Sequence, residues 1–164
     1  MEQSEEEFTT YVSGRLEWLL RVAYLLCQDF DRADDLVQTA ITRLFLNWRR
    51  AVAVDNLDGY ARTILIRVYL TEQRAGWWRR VQVVPELPET AIRDHEGDLD
   101  LRRALASLPP RQRATIVLRF YCDLNVEQTA EVMRCSTGNV KSQTARGIAA
   151  LRRILEPALL NGEA

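Results

Sequence analysis

The sequence predicts an all-α protein of two small helical domains joined by an acidic flexible linker, and three observations carry that prediction. Apolar residues recur at intervals of three and four along most of the 164 residues, the mark of helices with one buried face. The periodicity lapses once, over residues 81–98, where "VQVVPELPETAIRDHEGD" holds two prolines. Charge divides at the same place: residues 1–80 carry 11 basic and 12 acidic groups, residues 81–98 carry 1 and 5, and residues 99–164 carry 10 and 6. Residues 1–80 and 99–164 therefore read as modules and 81–98 as the linker between them.

Within "TTYVSGRLEWLLRVAYLLC", Leu16, Leu19, Leu20, Ala23, Leu26 and Cys27 make one apolar helix face. Asp31 has the chemistry of an N-cap, with Asp34 and Asp35 in a first turn where carboxylates meet the positive end of the helix dipole. The helix it opens, "RADDLVQTAITRLFLNW", buries Leu36, Val37, Ala40, Ile41, Leu44, Phe45 and Trp48 and shows Asp35, Gln38, Thr39 and Thr42 on its other face. A loop holding Asn56, Asp58 and Gly59 precedes a third helix from about Tyr60 to Arg74. Beyond the linker a helix resumes near Leu99 and stops at "SLPPRQ", where Pro110 suits the first turn of another. Asn125 and Gln128 have capping-box spacing and open a helix over 126–133. Ser136 can cap the last helix, from Thr137 to about Leu155, and the few residues after it leave no room for a further domain.

Composition narrows the function. At 47% apolar and 27% charged residues the chain has the make-up of a folded globular protein. No run approaches the roughly 20 apolar residues of a membrane span, and "MEQSEEEF" is acidic where a signal peptide is basic, so a cytoplasmic protein is expected. Cys27, Cys122 and Cys135 are far apart in sequence and His95 is the single histidine, which excludes a Cys/His metal site and suggests three reduced thiols. Neither a cofactor nor a catalytic constellation is expected.

The segment "RCSTGNVKSQTARGIAALRR", residues 134–153, holds five basic residues and no acid in a chain of net charge -1. The helix before it, the turn at 134–136 and the helix after it fit a helix-turn-helix. Ala130 is small where the helices must approach, and Met133, Cys135 and Val140 can fill the angle between them. Val140, Thr144, Gly147, Ile148, Leu151 and Leu155 form an inward stripe. Thr137, Gly138, Lys141, Ser142 and Arg146 lie opposite, and Arg134, Ser136 and Asn139 complete the face around the turn. Small polar residues followed by Lys and Arg suit a helix entering the major groove, where acid would repel phosphates. A second cluster sets Arg62, Arg67, Arg74, Arg79 and Arg80 among Tyr60, Tyr69, Trp77 and Trp78. Such interleaving suits a single strand, with bases stacked on rings, but aromatics at helical spacing serve a core equally well.

Together these segments resemble the sigma-70 superfamily, and within it the group-four extracytoplasmic-function (ECF) sigma factors, with "WWRR" closest to the short actinobacterial type. "DRADDLVQTAITRLFLNW" is similar to the family's region-two helix and "NLDGYARTILIRVYLTEQRAGWWRR" to the segment that melts the minus-ten element. "LRRALASLPPRQRATIVLRFYCDLNVEQTAEVMRCSTGNVKSQTARGIAALRRIL" resembles region four, which reads the minus-thirty-five element. The resemblance implies an RNA polymerase subunit that directs promoter-specific initiation. Asp35, Gln38, Thr39 and Thr42 would then face the β′ clamp helices, region four the β flap, and the linker the active-site cleft. Asn56, Tyr60, Arg62, Arg67, Arg74, Trp77, Trp78, Arg79 and Arg80 would meet the minus-ten strand, and the region-four face would meet duplex DNA. An anti-sigma factor is a further partner the resemblance allows. The chain departs from the family pattern at Arg67 (usually Asn), at Arg134 (usually the turn Gly) and at Thr39, where an acid often follows Gln38. The alternative is a one-component helix-turn-helix regulator, which would require a dimer face or a ligand pocket and would leave the aromatic–arginine cluster unexplained.

Overall fold

The structure is a computed structural model that describes residues 2–75 and 96–162, with side chains in the second stretch described from Leu99 to Glu156. Every regular element among the described residues is helical. The first module comprises α1 (Glu2–Cys27), α2 (Phe30–Leu46), the short α3 (Trp48–Ala53) and α4 (Leu57–Arg74). Leu19, Val22 and Leu26 of α1, Leu36, Val37 and Leu44 of α2, and Leu65, Ile66 and Tyr69 of α4 form its solvent-free centre. Each such aliphatic side chain contributes roughly 1.5–3 kcal/mol on burial.

Several sequence expectations shift. Gln28 adopts a left-handed conformation (φ 55°) that turns the chain out of α1 and leaves Asp29 extended. Asp29, not Asp31, is therefore the cap: its Oδ1 accepts from the Asp31 amide at 2.9 Å and the Arg32 amide at 3.3 Å. Asp34 and Asp35 consequently stand past the first turn, and Asp34 accepts from Gln38 Nε2 at 3.0 Å. The "loop" residues Asp58 and Gly59 belong to the first turn of α4, because Asn56 caps that helix through Gly59 N at 2.9 Å. Phe45 is 48% exposed rather than buried, since only its edge meets the Phe8 ring, 5.1 Å away between centroids. Leu16 is also exposed, while Trp48 is buried from its own helix α3 after the chain breaks at Asn47.

The second module begins earlier than expected, with α5 (Glu96–Ser107), then α6 (Pro110–Ile116) passing into a π-helical turn (Val117–Tyr121), α7 (Val126–Met133) and α8 (Thr137–Gly162). Pro110 opens α6 as its missing N–H permits, and α8 runs past Leu155 to Gly162. Arg113 ties the module internally: its guanidinium donates to the carbonyls of Leu105 (2.7 Å), Ala106 (3.1 Å) and Leu108 (2.8 Å), which end α5. At Gly147 the α8 backbone lies so close to α6 that a Cβ would stand 2.8 Å from Ile116 Cγ1.

The two modules do not stand apart. Ala114, Val117, Leu118, Leu124, Val132 and Met133 join the same core as the α1, α2 and α4 side chains. Arg113 also crosses the junction, donating to Leu26 O at 2.7 Å and to the Tyr69 hydroxyl at 3.1 Å. Arg102 does likewise, donating to the Tyr24 hydroxyl with its guanidinium 5.3 Å from that ring's centroid.

Candidate nucleic-acid interface

The helix-turn-helix forms as its caps dictate. Asn125 Oδ1 accepts from Gln128 N at 2.7 Å and Gln128 Oε1 accepts from Asn125 N at 3.0 Å, closing both halves of the capping box that opens α7. The helix ends at Arg134, whose backbone is left-handed (φ 54°, ψ 49°), a conformation that Gly adopts without steric cost. The chain turns through Cys135, and Ser136 Oγ accepts from Asn139 N at 3.0 Å to start α8. Ala130, Met133 and Val140 are buried in the angle, as their size and polarity suggest.

This geometry leaves Arg134, Ser136, Thr137, Gly138, Asn139, Lys141, Ser142 and Arg146 all exposed around the turn and the first turns of α8, with no acid among them. The α8 N-terminus adds the partial positive charge of its unpaired amides. The surface can accept a polyanion and offers short hydroxyl, amide and cationic groups to base edges.

The residues expected at the minus-ten strand are distributed differently. Asn56, Tyr60, Arg62 and Arg67 line a cleft of about 460 Å³ whose opposite wall is α7, through Gln128, Glu131 and Val132. Arg62 places its Nε in this buried region without a hydrogen-bond partner. Arg67 Nη2 donates to Glu131 O at 3.2 Å and its Nε to Val132 O at 3.3 Å, and burial, followed by the like charge of Arg134, lowers its pKa. Arg74 is exposed at the far end of α4, and Tyr69 is core, with burial pushing its hydroxyl up to about 12. Trp77, Trp78, Arg79 and Arg80, and the 81–95 part of the linker, lie outside the described residues.

The sequence reading did not anticipate the support beneath α4. Tyr11 donates its hydroxyl to Asp58 Oδ1 at 2.7 Å and Arg15 Nε donates to the same oxygen at 2.9 Å, fixing the start of α4 to α1. Burial works to raise the Asp58 pKa, but the hydrogen bonds from Arg15 and Tyr11 outweigh it and hold the carboxyl below the usual range. An i/i+4 scan cannot find such a network, because its members are 43 and 47 residues apart.

On α2, Asp35, Gln38 and Thr42 are exposed and Thr39 half-buried. The two threonine hydroxyls donate back to Asp35 O (3.0 Å) and Gln38 O (2.9 Å), so they present methyl groups and acceptors outward. Phe45 and the 74% exposed Leu46 continue this strip by one helical turn, an apolar extension hidden from a reading that placed Phe45 in the core. Among the described residues, no helix is long and apolar enough to cross a membrane.

Comparison with known proteins matches these two modules. Residues 12–79 fit the family described as Sigma-70 region 2, and residues 98–151 fit Sigma-70, region 4. The RNA polymerase sigma-E factor of Streptomyces avermitilis is 35% identical over 166 aligned residues, covering 96% of this chain and 90% of that protein. The sigma-E factor of Streptomyces coelicolor is 36% identical over 91% of this chain and 86% of its own length. The solved structure of the sigma factor RpoE with the anti-sigma factor NepR from Bartonella quintana shares the fold, with a TM-score of 0.75, 24% identity and coverage of 92% of this chain and 98% of that one. Two helical modules in this order, with these matches along both, place the chain in the sigma-70 family as an ECF RNA polymerase sigma factor.

Proposed function

We propose that this sigma factor docks on core polymerase through the α2 strip Asp35–Gln38–Thr42–Phe45–Leu46, with Thr39 at its edge. It reads the minus-thirty-five duplex with the α8 face and receives the minus-ten strand on the Asn56–Arg62 end of α4 and the arginines and tryptophans beyond Arg74. The observation that carries this reading is the acid-free exposed face at Arg134–Arg146, built on a capped helix-turn-helix. A second support is the charge balance: a chain of net charge -1 with one short basic helix has too few phosphate contacts for tight solitary binding, so a large partner must supply affinity. Regulation by an anti-sigma factor belongs to the same reading, since the RpoE relative is solved with one. The family membership weighs against the one-component regulator, which would bind DNA unaided as a dimer.

The test is run-off transcription with core polymerase on promoters of the source genome. The wild type should direct specific initiation, and Lys141→Ala and Arg146→Ala should each weaken promoter binding by holoenzyme while reducing its salt slope by about one. Run-off unchanged by the protein on every promoter tested would refute the reading.

A further inference from the structure

We propose that Asp58 is a positioning residue for promoter opening: held by Tyr11 and Arg15 of α1, it sets where the strand-receiving end of α4 stands. This rests on the promoter-reading function above and names the residues that prepare one of its surfaces. Asn56, Tyr60 and Arg62, which would receive the minus-ten strand, lie where the chain has no core of its own. Between the buried Ala51 and the buried Ala61, every residue is exposed or half-buried. Gly59, in the first turn of α4, is a poor helix former, and helix ends with little buried surface open readily. The Asn56 cap ties the turn to itself, at 2.9 Å to Gly59 N, but does not fix it to the rest of the module.

Asp58 supplies that second tie. Its Oδ1 accepts from the Tyr11 hydroxyl at 2.7 Å and from Arg15 Nε at 2.9 Å, two donors one turn apart on α1. No described residue of α1 before Leu19 is fully buried, so this stretch of α1 needs an anchor as well. Rings provide it: Tyr11 leans on Trp48 at 5.8 Å between centroids, and Phe8 meets the same indole at 5.3 Å. Burial, then the hydrogen bond to Asp58, pushes the Tyr11 hydroxyl well above its ordinary range, so it remains a donor.

The same contacts settle a conflict of charge. An unpaired carboxylate one turn before Arg62 would repel the phosphates that Arg62 is placed to attract. Burial works against ionisation of Asp58, and the bonds from Arg15 and Tyr11, with the charge of Arg62, overcome it. Arg15 then neutralises the carboxylate, and the charge of Arg62 is left for a strand. The two side chains of the ion pair are 47% and 42% exposed, so screening leaves the pair little weight in global stability. What it can set is the place of a helix end that the core does not hold, and a preformed surface captures a strand at lower ordering cost.

Two measurements decide the matter, one on the free chain and one on holoenzyme. Tyr11→Phe removes the hydroxyl and keeps the ring. It should speed hydrogen–deuterium exchange at residues 59–62 about fivefold, the weight of one half-exposed hydrogen bond to a charged group, with residues 65–70 unchanged. On a promoter, it should slow strand opening, followed by permanganate reactivity of unpaired minus-ten thymines, by about the same factor, while closed-complex affinity stays within about twofold. Arg15→Ala should act likewise, and Arg15→Lys, which keeps the charge, should restore most of the opening rate. In an Asp58→Ala background, Tyr11→Phe should cost nothing further, because the hydroxyl has lost its acceptor. Unchanged exchange at residues 59–62, or faster exchange with unaltered opening, overturns the proposal. So does a lower melting temperature with closed-complex affinity and opening falling together, which would make Asp58 a general stabiliser. A wild type that directs no initiation overturns the promoter-reading function alone, and the exchange measurement still decides whether Asp58 holds α4.

Discussion

Arg134 shows what a single residue can trade. Its left-handed backbone costs an L-residue about 1–2 kcal/mol, a cost that Gly escapes at the expense of some unfolded-state entropy. Arg134→Gly should therefore gain about 1 kcal/mol and raise the melting temperature by roughly 2–4 °C for a chain of this size. Removing an exposed cation beside the recognition helix should at the same time weaken promoter binding by holoenzyme and lower the salt slope by about one. A glycine variant that is less stable and binds DNA equally well would make Arg134 a packing residue. Arg134 could be flagged from sequence because a Gly-requiring turn was recognisable there. Arg67 stood out in the sequence as a departure from the family pattern, but its partners did not, since they are main-chain carbonyls 64 and 65 residues away that carry no side-chain signature.

At the scale of elements, the caps were the most readable features. The Asn125–Gln128 box and Ser136 needed only local spacing, and both form as expected. Asp29 was missed as a cap because Asp31, Asp34 and Asp35 follow it within α2, and only the left-handed Gln28 decides which carboxylate lies beneath the amides. Phe45 was misplaced because it lies at the edge of the α2 stripe, where period alone cannot separate a buried ring from one leaning on a neighbour. Close packing between α8 and α6 yields a sharper expectation. Gly147→Val would drive a Cβ to within 2.8 and 2.9 Å of Ile116 and should destabilise the chain by about 1–3 kcal/mol, despite valine's better helix propensity. Thermal melts followed by circular dichroism measure this, and an unchanged midpoint would mean that Ile116 swings aside at no cost.

For the whole molecule, the all-α class and the two modules were legible from periodicity and charge, whereas their shared core was not. Met133 reads as helix-turn-helix packing, yet it belongs, with Val132, to the cluster that contains Leu26 and Tyr69. Burial at that junction pushes Cys27 and Tyr69 up to about 12 each, with Arg113 pulling both the other way. Both groups stay protonated in the fold where the unfolded chain, with Cys near ~8.5 and Tyr near ~10, has already ionised. Their contribution is complete below about pH 8.5 and is lost as pH rises toward 12. The melting temperature should accordingly fall steadily between about pH 9 and 11, and less steeply in Cys27→Ala; a flat profile over that range would contradict the buried assignment. The same core bears on synthesis. The apolar side chains of α1 and α4 leave the ribosome before Ala114–Met133, which complete their cover about 3–12 s later at ~5–20 residues per second. For that interval the nascent chain displays part of its interior, and whatever meets it first, a chaperone or a partner, does so before the protein can close upon itself.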